Sequence, residues 1–242
     1  MHWSKLEFLP RPVFRAITAF AGALAAVLTA GAQAAPPAPS ARFVVVLDAA
    51  HGGDDLGGRL GGSQLEKAAT LTLSVRLRSL LAARGIAVVT TRESDATIPP
   101  EKRSEVANHA NAQACFTLHA TESGAGIHLF VSSLAPAQAV RFSPWKTAQA
   151  AWVSRSLALA GALNAALLHT GVNVTLGRTG LAAMDSMTCP AVAVEIAPQR
   201  GPDNAITAEP NDADYQARVA AAVAAAVLEW RTDAGRTEVH QP

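Results

Sequence analysis

Apolar and polar positions along this chain alternate between two periods. Residues 43–48 read Phe-Val-Val-Val-Leu-Asp, a continuous β-branched run of the kind found in a strand covered on both faces. Similar runs at 86–91, 114–119, 126–132, 181–184 and 191–197 predict further strands. Between them the spacing turns helical. Residues 66–84 carry Leu71, Val75, Leu77, Leu80 and Leu81 on one expected inner side, with Gly85 suited to follow the last turn. A helix from Pro99-Pro100-Glu101 to about Asn111 has proline in its first turn. Residues 144–169 and 215–230 read as Ala-rich helices, the former ended by Gly171. Strands alternating with helices predict an α/β fold, a three-layer α/β/α sandwich with a mostly parallel sheet. Residues 134–143 and 199–212 show no period.

The amino terminus changes this picture. Lys5, Arg11 and Arg15 precede an apolar run at 16–30, then Ala32-Gln33-Ala34. That order predicts a signal peptide over residues 1–34, cleaved near Ala35, because the run is too short to span a bilayer. Residues 35–42 form a Pro-rich linker, 43–232 one domain, and 233–242 a disordered tail. The mature chain is therefore expected to be exported, to a periplasm or outside the cell, with no membrane span, as a monomer. With 20 Lys and Arg against 19 Asp and Glu, and no basic block, nucleic acid is not an expected partner. Export permits a disulfide, but Cys115 and Cys189 both lie in or beside apolar runs, so two buried thiols are expected ahead of a bridge.

In an alternating α/β chain the carboxyl ends of parallel strands share one rim, where ligands bind. Polar residues at those ends carry the candidate chemistry. His51 follows the first run in Asp48-Ala-Ala-His-Gly-Gly53, and His119 closes Cys-Phe-Thr-Leu-His. Glu195 interrupts Ala-Val-Ala-Val-Glu-Ile-Ala, where an unpaired carboxylate is costly and calls for a metal, a cation or an Arg partner such as Arg178 or Arg92. Glu66 opens the first helix, a position that the helix dipole alone favours for an acid. Two His and one Glu make a zinc set that leaves one coordination position for water, and a further Glu can act as general base. Asp48 is expected to orient the His51 ring. His109 and Glu122 read as surface residues, with Glu122 a spare candidate near His119, and His128 as structural.

These motifs resemble a family. Val-Val-Leu-Asp-Ala-Ala-His-Gly-Gly-Asp-Asp (45–55), Leu65-Glu66-Lys67, Val88-Val-Thr-Thr-Arg92, Glu101-Lys-Arg103 with Ala107-Asn108, Phe116-Thr-Leu-His-Ala120 and Pro190-Ala-Val-Ala-Val-Glu195 occur in the order found in zinc-dependent N-acetylmuramoyl-L-alanine amidases. The resemblance spans about residues 43 to 230. It implies Zn2+ held by His51, Glu66 and His119, with Glu195 as catalytic acid/base. It also implies peptidoglycan as substrate, cut between N-acetylmuramic acid and the L-alanine of the stem peptide. Glycines 57, 58, 61 and 62 are expected to form a low wall beside the metal. The sequence departs from the family at Ala49-Ala50, where Pro-Gly is usual, at Thr121, where Asn is usual, and after Glu195, where Ile-Ala replaces Gly-Phe. Those departures keep open a non-catalytic wall-binding or regulatory domain of the same fold, and a zinc peptidase acting on another exported amide.

Overall fold

The structure, a computed structural model, describes residues 42–138 and 144–239. The expected signal peptide, and the linker as far as residue 41, lie outside the described residues. Six strands form one sheet: β1 (Val44–Ala49), β2 (Ala87–Thr90), β3 (Ala114–Ala120), β4 (Ile127–Ser132), β5 (Val174–Thr179) and β6 (Ala191–Ile196), in the order β2-β1-β3-β6-β4-β5. All neighbours run parallel except β4 against β6. The helices are α1 (Glu66–Ala82), α2 (Pro100–His109), α3 (Val153–Leu168), the short α4 (Ala182–Asp185) and α5 (Ala213–Val239).

Strand alternation divides the core. Val45, Leu47, Phe116, Leu118, Leu129, Val192 and Val194 face α1, α3 and α5, through Leu73, Leu77, Leu159, Leu163 and Val223. Val46, Cys115, Ala191 and Ala193 face the opposite side, against Ala107 of α2 and Met184 of α4. This is the expected three-layer sandwich. On α1 the buried stripe is Ala69, Leu73, Leu77 and Leu81, one turn apart, so Val75 points outward at 49% exposure instead of inward.

Other expectations need correction. Residues 181–184 are not a strand. Ala183 and Met184 bury together in α4, and the strand falls at β5, an edge position whose half-exposed Val-Thr-Leu-Gly-Arg-Thr lacks an apolar run. The long helix from Pro144 is broken. A 3₁₀ segment, Trp145–Ala151, precedes α3. The break seats buried Gln149, which donates to the carbonyls of Met187 and Cys189 and accepts from Ser156. α5 runs on to Val239, into the stretch given to a tail, since no proline intervenes before Pro242.

Cys115 and Cys189 are bridged, not free thiols. β3 and β6 are hydrogen-bonded neighbours, and Cys115 donates its N–H to Pro190 O at 2.8 Å. That brings the two Cα atoms to 6.2 Å, within disulfide reach. Among the described residues no single helix is long and apolar enough to cross a membrane.

Candidate active site

The first candidate residue sits on an anchored loop. Beyond β1, His51 adopts φ 61°, a left-handed conformation that costs a non-glycine residue free energy and persists only when neighbours enforce it. Two buried guanidinium groups supply that constraint. Arg103 donates to the carbonyls of Ala49 and His51 at 2.7 and 2.8 Å. Arg92 donates to those of Ala49 and Ala50 at 2.9 and 3.0 Å. Burial lowers the pKa of Arg92, and the neighbouring Arg103 charge adds to this. Asp48 does not orient His51. Its Oδ1 accepts from Arg103 at 2.7 Å and from Thr91 at 2.6 Å, because its side chain is turned into the structure and offsets the buried positive charge.

The residue that holds the His51 ring is Asp55, whose two carboxylate oxygens lie 2.9 Å from Nδ1. This leaves Nε2 facing Glu66 Oε2 at 3.1 Å. Glu66 Oε1 lies 2.9 Å from His119 Nδ1 and accepts from Ala120 N–H, while Oε2 accepts from Gly58 N–H. One buried carboxylate thus bridges two imidazoles and two backbone donors. Burial alone would raise the Glu66 pKa, but the bonds from His119, His51 and Gly58 outweigh it and hold the carboxyl well below its usual range. The bond to Glu66 raises the His51 pKa against the opposing effect of burial, with Asp55 adding to the rise. One donor atom from each of His51, Glu66 and His119 falls within 4.8 Å of the others.

Glu195 stands next to this cluster through sheet register. β3 and β6 align His119 with Glu195, and β6 and β4 align Glu195 with His128. The three side chains form a row across adjacent strands, on the face opposite Leu118, Val194 and Leu129. Glu195 Oε1 lies 2.7 Å from His128 Nδ1. The expected Arg partners lie elsewhere: Arg92 grips the loop after β1, and Arg178 donates to the carbonyls of Ser132 and Leu134. Nor is Glu195 deeply buried. Its side chain is 28% exposed and lines an open cavity of about 340 Å³ with His51, Glu66, His119, Arg59 and Thr121.

The four predicted residues therefore meet in one cavity, and Glu122 also lines it. Of the glycines, Gly57 packs against His51 and Glu66, and Gly58 lines the cavity. Gly61 instead abuts Glu209, and Gly62 has no neighbour within 4 Å of a built Cβ. Sequence reasoning passed over Asp55 and did not anticipate the contact between His128 and Glu195. Asp55 lies one helical turn beyond His51 in number, but the intervening glycines concealed a turn that closes through Gly52 N–H to Asp55 O at 2.8 Å. His128 shows the same period-two placement as Phe130, a signal that exists only once the partner of β4 is known.

Residues 45–229 match the family described as N-acetylmuramoyl-L-alanine amidase. The germination-specific N-acetylmuramoyl-L-alanine amidase of Bacillus subtilis (strain 168) is 35% identical over 95 residues, 34% of this chain and 40% of that protein. The N-acetylmuramoyl-L-alanine amidase AmiA of Escherichia coli (strain K12) is 38% identical over 77 residues, 32% of this chain and 27% of that protein. The chain thus matches two-fifths or less of the length of these curated relatives. The catalytic domain of CwlV, an N-acetylmuramoyl-L-alanine amidase from Bacillus (Paenibacillus) polymyxa var. colistinus, superposes with a TM-score of 0.61 at 22% identity, covering 78% of this chain and 98% of that one. The N-acetylmuramoyl-L-alanine amidase AmiC2 of Nostoc punctiforme superposes with a TM-score of 0.61 at 21% identity, covering 80% and 99%. At such identities the likeness carries the fold.

Proposed function

This chain belongs to the N-acetylmuramoyl-L-alanine amidase family, and we propose that it is an exported, zinc-dependent hydrolase of peptidoglycan. Its reaction would cleave the amide between N-acetylmuramic acid and the L-alanine of the stem peptide. The observation that carries the reading is the meeting of Glu195 with His51, Glu66 and His119 in one open cavity. Two imidazoles and one carboxylate with mutually close donor atoms suit zinc and leave room for a water. His51, Glu66 and His119 would hold the ion, and Asp55 would fix the His51 ring from its other nitrogen. Zinc bound there supplies a Lewis acid for the scissile carbonyl and lowers the pKa of the attacking water.

Glu195 accepts the proton of that water and passes it to the leaving amine. Proton uptake and release then balance within one turnover, and the products are a free lactyl carboxylate and a free L-alanine amine. The cavity is open to solvent, which suits a polymer that must approach from the side. Activity without a separate activator protein is part of the proposal, since the segment 122–144 is short and Pro136 and Pro144 discourage a long helix within it that could plug the site.

The test is mass spectrometry of products from purified peptidoglycan, run with wild-type chain and with Glu195→Gln. Wild type should release peptides beginning with L-alanine. Glu195→Gln should keep its zinc and lose turnover by about 10²-fold or more, the usual worth of general acid–base catalysis. A zinc-loaded wild type that binds peptidoglycan without cutting it would favour a wall-binding domain. Cleavage at another amide would replace the substrate assignment.

A further inference from the structure

Glu195 reaches one neighbour through a contact the proposed reaction does not itself require. We propose that His128 is a positioning residue that fixes which oxygen of Glu195 does the chemistry. The inference rests on the reading of Glu195 as general base and deepens it.

β4 is the strand that runs antiparallel to its neighbour β6, and its register sets His128 directly opposite Glu195. An ionised carboxylate only accepts hydrogen bonds, so His128 must carry its proton on Nδ1 to donate to Glu195 Oε1 at 2.7 Å. The ring has little freedom to leave. A Cβ built on Gly124 would come within 2.6 Å of Cε1 and 2.8 Å of Nε2, so only the bare glycine backbone leaves space for the imidazole. Phe130 lies edge-on with ring centroids 6.2 Å apart, and Arg200 donates to Gly124 O at 3.0 Å, tying down the turn that packs on the ring. The His128 side chain is 17% exposed, less than the carboxylate it holds.

Among the described residues Glu195 Oε2 has no hydrogen-bond partner. The two oxygens are therefore unequal. Oε1 is occupied by the Nδ1 proton of His128, and Oε2 is the oxygen available to take the proton from water. The lone pair on Oε2 receives that proton, and the same O–H later donates it to the departing amine nitrogen. His128 keeps its own proton throughout, so no charge is stranded. Without this anchor Glu195, at an exposed rim, would sample rotamers that turn Oε2 away, and a poorly held catalytic group loses rate.

Three variants of the full chain test this with zinc content, kcat and KM measured on a purified N-acetylmuramoyl-L-alanine peptide. His128→Ala should retain zinc and KM and lose kcat by about 10- to 100-fold, as for other residues that orient a catalytic group. Free imidazole in the buffer should restore part of that loss. His128→Asn, whose side-chain amide can donate from near the Nδ1 position, should keep more kcat than His128→Ala. Wild-type kcat in His128→Ala would overturn the proposal, as would equal losses in Ala and Asn variants with no response to imidazole. If His128→Ala does not fold, His128→Asn decides, with retained kcat in support and a loss as large as that of Glu195→Gln against. Glu195→Gln is measured in parallel. If it hydrolyses normally, the general-base reading fails. If it is dead while His128→Ala is normal, only the positioning role fails.

Discussion

Gly57→Ala should cripple the proposed zinc site without removing any ligand. A Cβ at this position would lie 2.6 Å from His51 Cδ2 and 2.8 Å from both Cβ and Oε2 of Glu66. Ordinary carbon contacts begin at about 3.5 Å, so His51 would have to retreat by about 0.9 Å and Glu66 by about 0.7 Å. Part of any effect comes from the backbone alone, because φ here is +65° and a left-handed conformation costs alanine about 1–2 kcal/mol. Gly62 supplies the control, with φ +71° and nothing within 4 Å. Gly62→Ala should lose about the same backbone stability and leave zinc affinity alone. Disturbing the groups that hold metal ligands typically costs about 10- to 100-fold in metal affinity, so Gly57→Ala should bind zinc weaker by that factor, or about 1.4 to 2.7 kcal/mol. Zinc competition against a chromogenic chelator, with thermal melts of both variants, separates the two contributions. Equal zinc affinity in Gly57→Ala and Gly62→Ala would refute the packing argument.

Three further outcomes follow from the same site and its support. Asp55→Ala should lower zinc affinity about 10- to 100-fold by freeing the His51 ring, measured by calorimetric titration, whereas an unchanged affinity would return the orienting role to another group. In zinc-free protein the raised His51 pKa contributes stability that is complete below about pH 6.5 and lost as pH rises through the folded value, while the lowered Glu66 pKa contributes stability present above about pH 4.3 and lost on acidification. Zinc-free melting temperatures should therefore fall as pH rises above about 6.5, and zinc-loaded ones should not, because protons compete with the metal for the same nitrogens. Reducing the Cys115–Cys189 bridge opens a loop with a sequence separation of 74 and should cost about 4.5 kcal/mol on the chain-entropy estimate, read as a shift in the urea midpoint.

The residues that were legible in the sequence share one property. His51, His119 and Glu195 each sit at or just past the end of an apolar run, and in a parallel sheet such ends converge whatever the strand order. Glu66 follows from the helix that begins where the glycine loop stops. What stayed hidden depends on strand direction and pairing. The pairing of His128 with Glu195 stayed hidden because nothing in residues 126–132 says that β4 reverses. The disulfide was disfavoured because the adjacency of β3 and β6, far apart in sequence, is a fact of topology. Asp48 and Asp55 are both close to His51 in number, and only the path of the loop decides which faces the ring. β5 was missed since an edge strand needs no continuous apolar run, while α4, with its two buried side chains, imitated one.

The loop carrying His51 is gripped by its carbonyl oxygens, which Arg92 and Arg103 reach from the two segments that follow α1. Every amino acid offers that same oxygen. Part of the information that shapes this loop is therefore stored outside it, and the positions before the histidine keep two demands of their own: small size, since Ala49 and Ala50 are buried, and an N–H at Ala50, which donates to Leu118 O at 3.1 Å. The Ala-Ala pair meets both demands, with the histidine still held at the rim. A substitution at either arginine, more than forty positions away, would therefore reach the histidine without touching its loop.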